Sequence, residues 1–339
     1  MKRSRLGESI WAATLALPVA AALALAACGG SNTTATSPSV PAPSLAATSA
    51  PPSASPLPAP TIPGEIACSK AVPTLHMLGE LFTVKSDGTS PVQLAAGEEL
   101  SFKQAAWSPD GKKIAYIVGY EPGRPWSYYH YTVWTMNADG TGQTQLTKGK
   151  MRGSWPTWSP DGKQIAFARA LPDDSGEIYV MNADGSGPRR VTSGGLPRWA
   201  PNGMIYFVKG RTRDVYRVSP DGSGLRRVTK EAWARGFAIS PDCKRLAVYD
   251  DNSDRIVSLP AAAPGAPVLL VDKPAERGYV PGGVGIALDW APDGSAVAFA
   301  VSDFEDTQGS PIYVVNADGT GLSAVPGTSA MWDPDWRPE

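Results

Sequence analysis

Histidine occurs only twice in these 339 residues, at His76 and His130, and cysteine three times, at Cys28, Cys68 and Cys243. Two imidazoles cannot furnish a three-histidine metal centre. No Gly-x-Ser-x-Gly elbow is present to expose a serine nucleophile, so the hydrolase pattern is missing as well. Neither sign of charge dominates: 31 Lys and Arg stand against 32 Asp and Glu, a net charge of −1. The basic footprint of a nucleic-acid binder is therefore lacking, and nucleic acid is not an expected partner. What the chain does have is punctuation, with 35 Gly, 33 Pro and 11 Trp, a composition suited to many short strands rather than to a helical bundle.

The N-terminus carries Lys2, Arg3 and Arg5, an apolar stretch from Ile10 to Ala27, and then Leu25-Ala26-Ala27-Cys28-Gly29. A basic start, a short apolar run and a Leu-small-small-Cys sequence resemble a bacterial lipoprotein signal, residues 1–27, with its lipobox. That resemblance implies that Cys28 becomes the acylated first residue of the mature chain and ties it to the membrane at the outer face. Removing the leader leaves 28 basic and 31 acidic side chains, so the exported part is mildly acidic. From Ser31 to Pro63 no residue is charged, and nine are proline. Such a segment cannot bury enough apolar surface to offset its ordering entropy, so residues 28–63 are expected to be a disordered tether. Its reach lies between roughly 30 Å as a coil and roughly 100 Å as extended polyproline.

Beyond the tether the chain repeats itself. One phrase reads WSPDGKKIAY from Trp107, WSPDGKQIAF from Trp158, WAPNGMIYF from Trp199, ISPDCKRLAV from Ile239, WAPDGSAVAF from Trp290 and WRPE from Trp336. A second alternates with it: FTVKSDGTS from Phe82, WTMNADGTG from Trp134, YVMNADGSG from Tyr179, YRVSPDGSG from Tyr216, RIVSLPAAAPG from Arg255 and YVVNADGTG from Tyr313. In the first, Pro presets φ, Asp bonds back to the backbone and Gly supplies positive φ, which makes a hairpin turn between two strands. The residues that follow, such as Ile165-Ala166-Phe167, put large groups on one face and Ala on the other, as suits a strand sandwiched between sheets. Each unit supplies four strands, A to D, and the repeat of about 40 to 52 residues matches one four-stranded blade.

Together these phrases resemble the PD40, or WD40-like, repeats of the TolB-type family of six-bladed β-propellers, over about residues 66–338. The fold expected for residues 64–339 is therefore all-β, a six-bladed β-propeller of four-stranded antiparallel blades. Its ends are out of step: the first recognisable phrase is a C strand and the last an A strand. Ring closure by pairing of N- and C-terminal strands follows, with residues 331–336 sharing a blade with residues 82–84 and with Ile66-Ala67-Cys68 as the B strand. Cys68 and Cys243 then fall on blades separated by another blade, too far apart for a disulfide. The motif tryptophans Trp107, Trp158, Trp199 and Trp290 are expected to pack between blades. The turn aspartates lack the successive acidic ligands of a calcium loop, so no metal or cofactor is expected.

All the motif turns must emerge on one rim. On the other, the B-to-C and D-to-A connections depart from the repeat, and loops held by a rigid scaffold commonly carry function. The candidate partner-binding residues are Tyr120, Arg124, Trp126, Tyr128, Tyr129 and His130 of the first insertion, with Arg211 and Arg213, the oppositely charged Asp303 and Glu305, and Phe304 between them. Tyr, Trp and Arg are the types enriched in binding hot spots. These features predict a monomeric, non-catalytic scaffold that binds an envelope protein or a cell-wall component. The rival expectation is an enzyme, a lyase, lactonase or hydrolase acting on sugars or wall peptides in the central funnel.

Overall fold

A computed structural model describes residues 64–71, 79–97, 100–120, 131–149, 151–170, 176–261, 265–273, 285–302 and 311–338. These lie in one compact unit, Ser55–Glu339. The leader, Cys28 and the tether lie outside the described residues. Among the described residues every regular element is a strand, and the strands form six four-stranded antiparallel sheets in a propeller ring.

Blade 1 comprises β4 (Leu100–Trp107), β5 (Lys113–Tyr120), β6 (Thr132–Asn137) and β7 (Thr144–Gln145). Blade 2 comprises β8 (Ser154–Trp158), β9 (Gln164–Ala170), β10 (Gly176–Asn182) and β11 (Arg189–Ser193). Blade 3 follows with β12 (Gly195–Trp199), β13 (Ile205–Lys209), β14 (Asp214–Val218) and β15 (Arg226–Arg227). Blade 4 holds β16 (Ala234–Ile239), β17 (Arg245–Asp250), β18 (Arg255–Pro260) and β19 (Val268–Asp272). Blade 5 holds β20 (Gly285–Trp290), β21 (Ala296–Ser302), β22 (Tyr313–Asn316) and β23 (Ser323–Ala324). Blade 6 is the composite one, in the order β24 (Met331–Trp336), β1 (Glu65–Ala71), β2 (Gly79–Lys85) and β3 (Val92–Ala95). The C-terminal strand is thus the innermost member of a blade whose other three strands come from the N-terminal side. Ile66 stands opposite Trp336 and Lys70 opposite Met331, which is the closure the offset phrases require.

The alternation read from the sequence explains the packing. In β9, Ile165 and Phe167 face blade 1, while Ala166 and Ala168 face blade 3. In β21, Val297 and Phe299 face blade 4, and Ala296, Ala298 and Ala300 face blade 6. Large side chains from one blade are thereby received by alanines of its neighbour. The buried apolar residues divide into six clusters, one at each interface between blades. The motif tryptophans sit there as expected, with Trp107, Trp158, Trp290 and Trp336 4–6% exposed. The indole Nε1 of Trp158 donates across the interface to the carbonyl of Ala106 at 3.1 Å. Trp199 differs: it is half-buried and donates to Gly203 of its own turn. Cys68 and Cys243 are free thiols, the first buried with its Sγ 3.5 Å from Met331 Sδ.

The turn aspartates have a local purpose. Asp110 Oδ1 accepts from the Ser108 hydroxyl at 2.7 Å and from the Lys112 N–H at 3.1 Å. Asp161 and Asp242 repeat this, and Asp139 and Asp318 do the same with Thr141 and Thr320. These bonds hold each carboxyl below its usual range, the Ser or Thr hydroxyl being the largest cause. In each case Oδ1 is engaged within the residue's own turn.

Candidate functional site

The six A strands surround the axis, each neighbouring the next, and β24 touches β4 to complete the circle. Their inner edges have no fifth strand to pair with, so backbone N–H groups there need other acceptors. Side chains supply them in two tiers. One position before three of the motif tryptophans, Asp289 accepts the Trp336 N–H at 2.6 Å, Asp335 accepts the Trp107 N–H at 2.7 Å, and Thr157 accepts the Trp199 N–H at 3.1 Å. Two positions earlier, Gln104 Oε1 accepts the Trp155 N–H at 2.7 Å, and the Asp333 carboxylate accepts from the Gln104 backbone. Each such bond reaches from one blade to the next.

The second tier depends on a β-bulge. In β4, β8, β12 and β24 two residues oppose one on the neighbouring B strand. The leading bulge residues Gln104, Trp155, Leu196 and Asp333 all have φ between 50° and 55°. Non-glycine residues seldom adopt this conformation, and a bulge turns their side chains out of the strand's regular alternation. Pro156, Pro197 and Pro334 follow three of them, and bulges are among the few places where a sheet tolerates proline. The bulged residues Gln104, Trp155 and Asp333, with Arg198 and Asp335, line an axial cavity of about 10 Å³, room for about one water.

Three carboxylates share this confined region. Burial pushes Asp333 up to about 6, against the attraction of Lys103 and Arg198. Asp289 and Asp335 are raised as well, by burial first and, for Asp335, by the adjacent charge of Asp289. The guanidinium of Arg198 favours all three anions and lies 5.9 Å from the Trp155 ring. Among the described residues no group of three or more His, Cys, Asp or Glu is arranged to hold a metal ion. The axial cluster thus joins blades and holds two neighbouring, half-buried acids, Asp289 and Asp335.

The rim bearing the B-to-C and D-to-A connections is the second candidate surface. Arg124, Trp126, Tyr128, Tyr129, His130, Asp303, Phe304 and Glu305 lie outside the described residues. Tyr120 closes β5, its backbone opposite Leu100. Arg211 and Arg213 occupy the turn between β13 and β14, both exposed, with Arg213 partly covered by its neighbours. The structure brings Arg213 to residues the sequence reading had not singled out. Trp233, 37% exposed, donates its N–H to the Thr212 carbonyl at 3.0 Å, and the Ala234 N–H reaches the Arg213 carbonyl at 3.2 Å. Arg235 Nε pairs with Asp251 Oδ2 at 2.6 Å. Partial burial and the neighbouring Arg235 charge pull the Arg213 pKa down, with Asp251 opposing them. Arg213 and Trp233 both have left-handed backbones, at φ 46° and 45°, and such strain tends to cluster at functional sites. Below them the buried carboxylate of Asp214 ties the connection down, accepting from Arg227 Nη2 at 2.6 Å and from the Ala232 N–H at 3.1 Å. An aromatic surface flanked by guanidinium groups on a braced loop suits capture of another molecule. The signal in the sequence was a tryptophan outside either repeated phrase, flanked within two residues by Glu231 and Arg235.

Comparison with known proteins agrees with this architecture. The family described as "TolB beta propeller domain", PD40, matches residues 73–269. Among curated proteins, the Tol-Pal system protein TolB of Alcanivorax borkumensis is 38% identical over 60 residues, 18% of this chain and 12% of that protein. The uncharacterized peptidase YuxL of Bacillus subtilis is 28% identical over 81 residues, 24% of this chain and 12% of that protein. The matched part thus spans about an eighth of either relative's length. Of solved structures, TolB from Acinetobacter baumannii superposes with a TM-score of 0.66 at 22% identity, covering 81% of this chain and 67% of that one.

Proposed function

Because this chain belongs to the TolB β-propeller family, we propose that it is a non-catalytic scaffold of the bacterial envelope, tethered through Cys28, that binds another envelope protein with its B-to-C and D-to-A rim. The observation that carries this reading is the division of labour between the two rims. On one, repeated turns satisfy their own polar groups. On the other, every blade differs, and Arg213, Trp233, Arg235 and Asp251 present an aromatic and charged patch. The likeness over 60 residues to the Tol-Pal system protein TolB of Alcanivorax borkumensis supports a protein ligand.

The test is site-directed crosslinking on intact cells, with photoreactive groups placed beside the patch. Replacing Trp233 and Arg213 by Ala, and separately Trp126 and Tyr129 by Ala, should remove the crosslinked species while leaving the melting temperature within about 2 °C. Undiminished crosslinking in both variants would overturn the assignment. The enzymatic reading draws on the likeness to a peptidase and on the raised carboxylates of the axis. It requires turnover of a wall peptide or oligosaccharide that Asp335→Asn abolishes.

A further inference from the structure

The six blades provide an internal control, because a position that differs in one blade is not required by the fold. One cross-strand pair joins each C strand to its outer D strand at the same structural position. It is Thr83 with Val92, Thr135 with Thr144, Ser258 with Val268 and Val314 with Ser323 in blades 6, 1, 4 and 5. In blade 2 it is Val180 with Arg189, and in blade 3 it is Arg217 with Arg226. Like charges directly opposite one another destabilise a ladder, and four blades show that uncharged residues serve there.

The basic residues extend beyond the pair. Among the six outer strands only β11 and β15 carry any, as Arg189-Arg190 and Arg226-Arg227. Two of these four are neutralised: Arg190 Nε by Glu177 at 2.6 Å and Arg227 Nη2 by Asp214 at 2.6 Å. Arg189 Nη1 instead spans the gap between blades to the Pro220 carbonyl at 2.6 Å, close to the Asp221 carboxylate. Arg217 and Arg226 form no ion pair among the described residues. Guanidinium groups therefore stand on the outer parts of two adjacent blades, Arg189 on the side of blade 2 that meets blade 3 and Arg217 and Arg226 directly opposite each other on the side of blade 3 that meets blade 4.

We propose that Arg189, Arg217 and Arg226 form a binding site for the phosphate groups of an extended anionic polymer. The guanidinium fork matches an oxyanion through paired N–H donors, and an oxyanion between Arg217 and Arg226 converts their repulsion into shared attraction. The three arginines are spread over two adjacent blades, and the outer strands of the other four carry no basic residue, which fits a ligand long enough to reach from one blade to the next better than a single small anion. The site lies on the wall and not on the loop rim, so its fate is independent of the scaffold reading above.

The probe is linear inorganic polyphosphate, titrated calorimetrically into the full-length chain in detergent at low and at physiological salt. The expected result is binding that weakens with salt, that orthophosphate at equal phosphate concentration does not displace, and that exceeds binding of polyglutamate. Arg217→Thr with Arg226→Thr copies the Thr135–Thr144 pair of blade 1, and should lower affinity at least tenfold while the melting temperature stays or rises. Lys112→Gln with Lys163→Gln, on exposed turns, should change affinity less than twofold. Absence of binding by the native chain, equal binding by the double threonine variant, displacement by orthophosphate or equal affinity for polyglutamate would each overturn the proposal.

Discussion

Replacing Trp336 by Ala tests whether the C-terminal strand locks the ring. The indole is 4% exposed and belongs to the cluster between blades 5 and 6, with Ile66, Val84, Ala291 and Met331. Its Nε1 has no hydrogen-bond partner, whereas its backbone N–H, which Ala retains, is the group that reaches Asp289. The substitution therefore removes apolar packing and no hydrogen bond. Emptying such a site costs about 3–5 kcal/mol, and the lower end applies because a buried unpaired N–H is removed too. For a domain of this size about 3 kcal/mol lowers the melting temperature by roughly 6–12 °C. Trp199 provides the comparison, since it occupies the same motif position but is half-buried. Its replacement should cost about 1–2 kcal/mol, in proportion to the smaller area covered. Urea denaturation followed by circular dichroism measures both. If Trp336→Ala is no more destabilising than Trp199→Ala, the last strand does not hold the seam and the closure argument fails.

Deleting residues 330–339 goes further, because it leaves β1 as an open edge and uncovers the core between blades 5 and 6; one sharp transition should become a broad, low-temperature one by calorimetry, and a melt matching the intact chain would contradict this. The axial carboxylates predict a pH dependence. With folded pKa values above the unfolded value near 4, Asp333, Asp289 and Asp335 bind more protons in the native state, so their stabilisation is complete below about pH 4 and fades as pH rises through about 6 and beyond. Melting temperature should accordingly fall from pH 5 to pH 8, and Asp333→Asn, which keeps an acceptor for the Gln104 N–H, should flatten the fall. Gly88 has φ 82° and a Cβ there would meet the Pro326 carbonyl oxygen at 2.0 Å, while Gly203, at φ 79°, has open space. Gly88→Ala should cost more than the roughly 1–2 kcal/mol that left-handed strain alone imposes at Gly203→Ala, measured by chemical denaturation.

The ring was legible because its determinants are local and repeated. Trp-Ser-Pro-Asp-Gly names a turn, Ile-Ala-Phe names a two-sided strand, and the mismatch between the first and last phrases names the seam. The axial cluster was not read in advance, since Asp289, Asp335 and Thr157 acquire meaning only when six strands meet around one axis. Yet a trace existed: Trp155-Pro156-Thr157-Trp158, Leu196-Pro197-Arg198-Trp199 and Asp333-Pro334-Asp335-Trp336 share a proline two residues before the tryptophan, and that proline marks the bulge. The loop rim was legible as a place, through its departure from the repeat, but not as a set of contacts. Arg213 meets Trp233 and Arg235 because two connections from different blades cross, which no spacing along the chain encodes.

The seam also fixes how the molecule responds to force. A pull on the segment entering at Gly64 acts on β1, which is clamped between β2 and β24 on its two sides. Load is shared along both ladders in shear, so many backbone bonds must yield together, whereas an edge strand would unzip one bond at a time. Rupture then depends on the unfolding rate of the whole blade. A domain held to a surface by its N-terminal end thus has its point of attachment at one of the mechanically firmest strands in the circle.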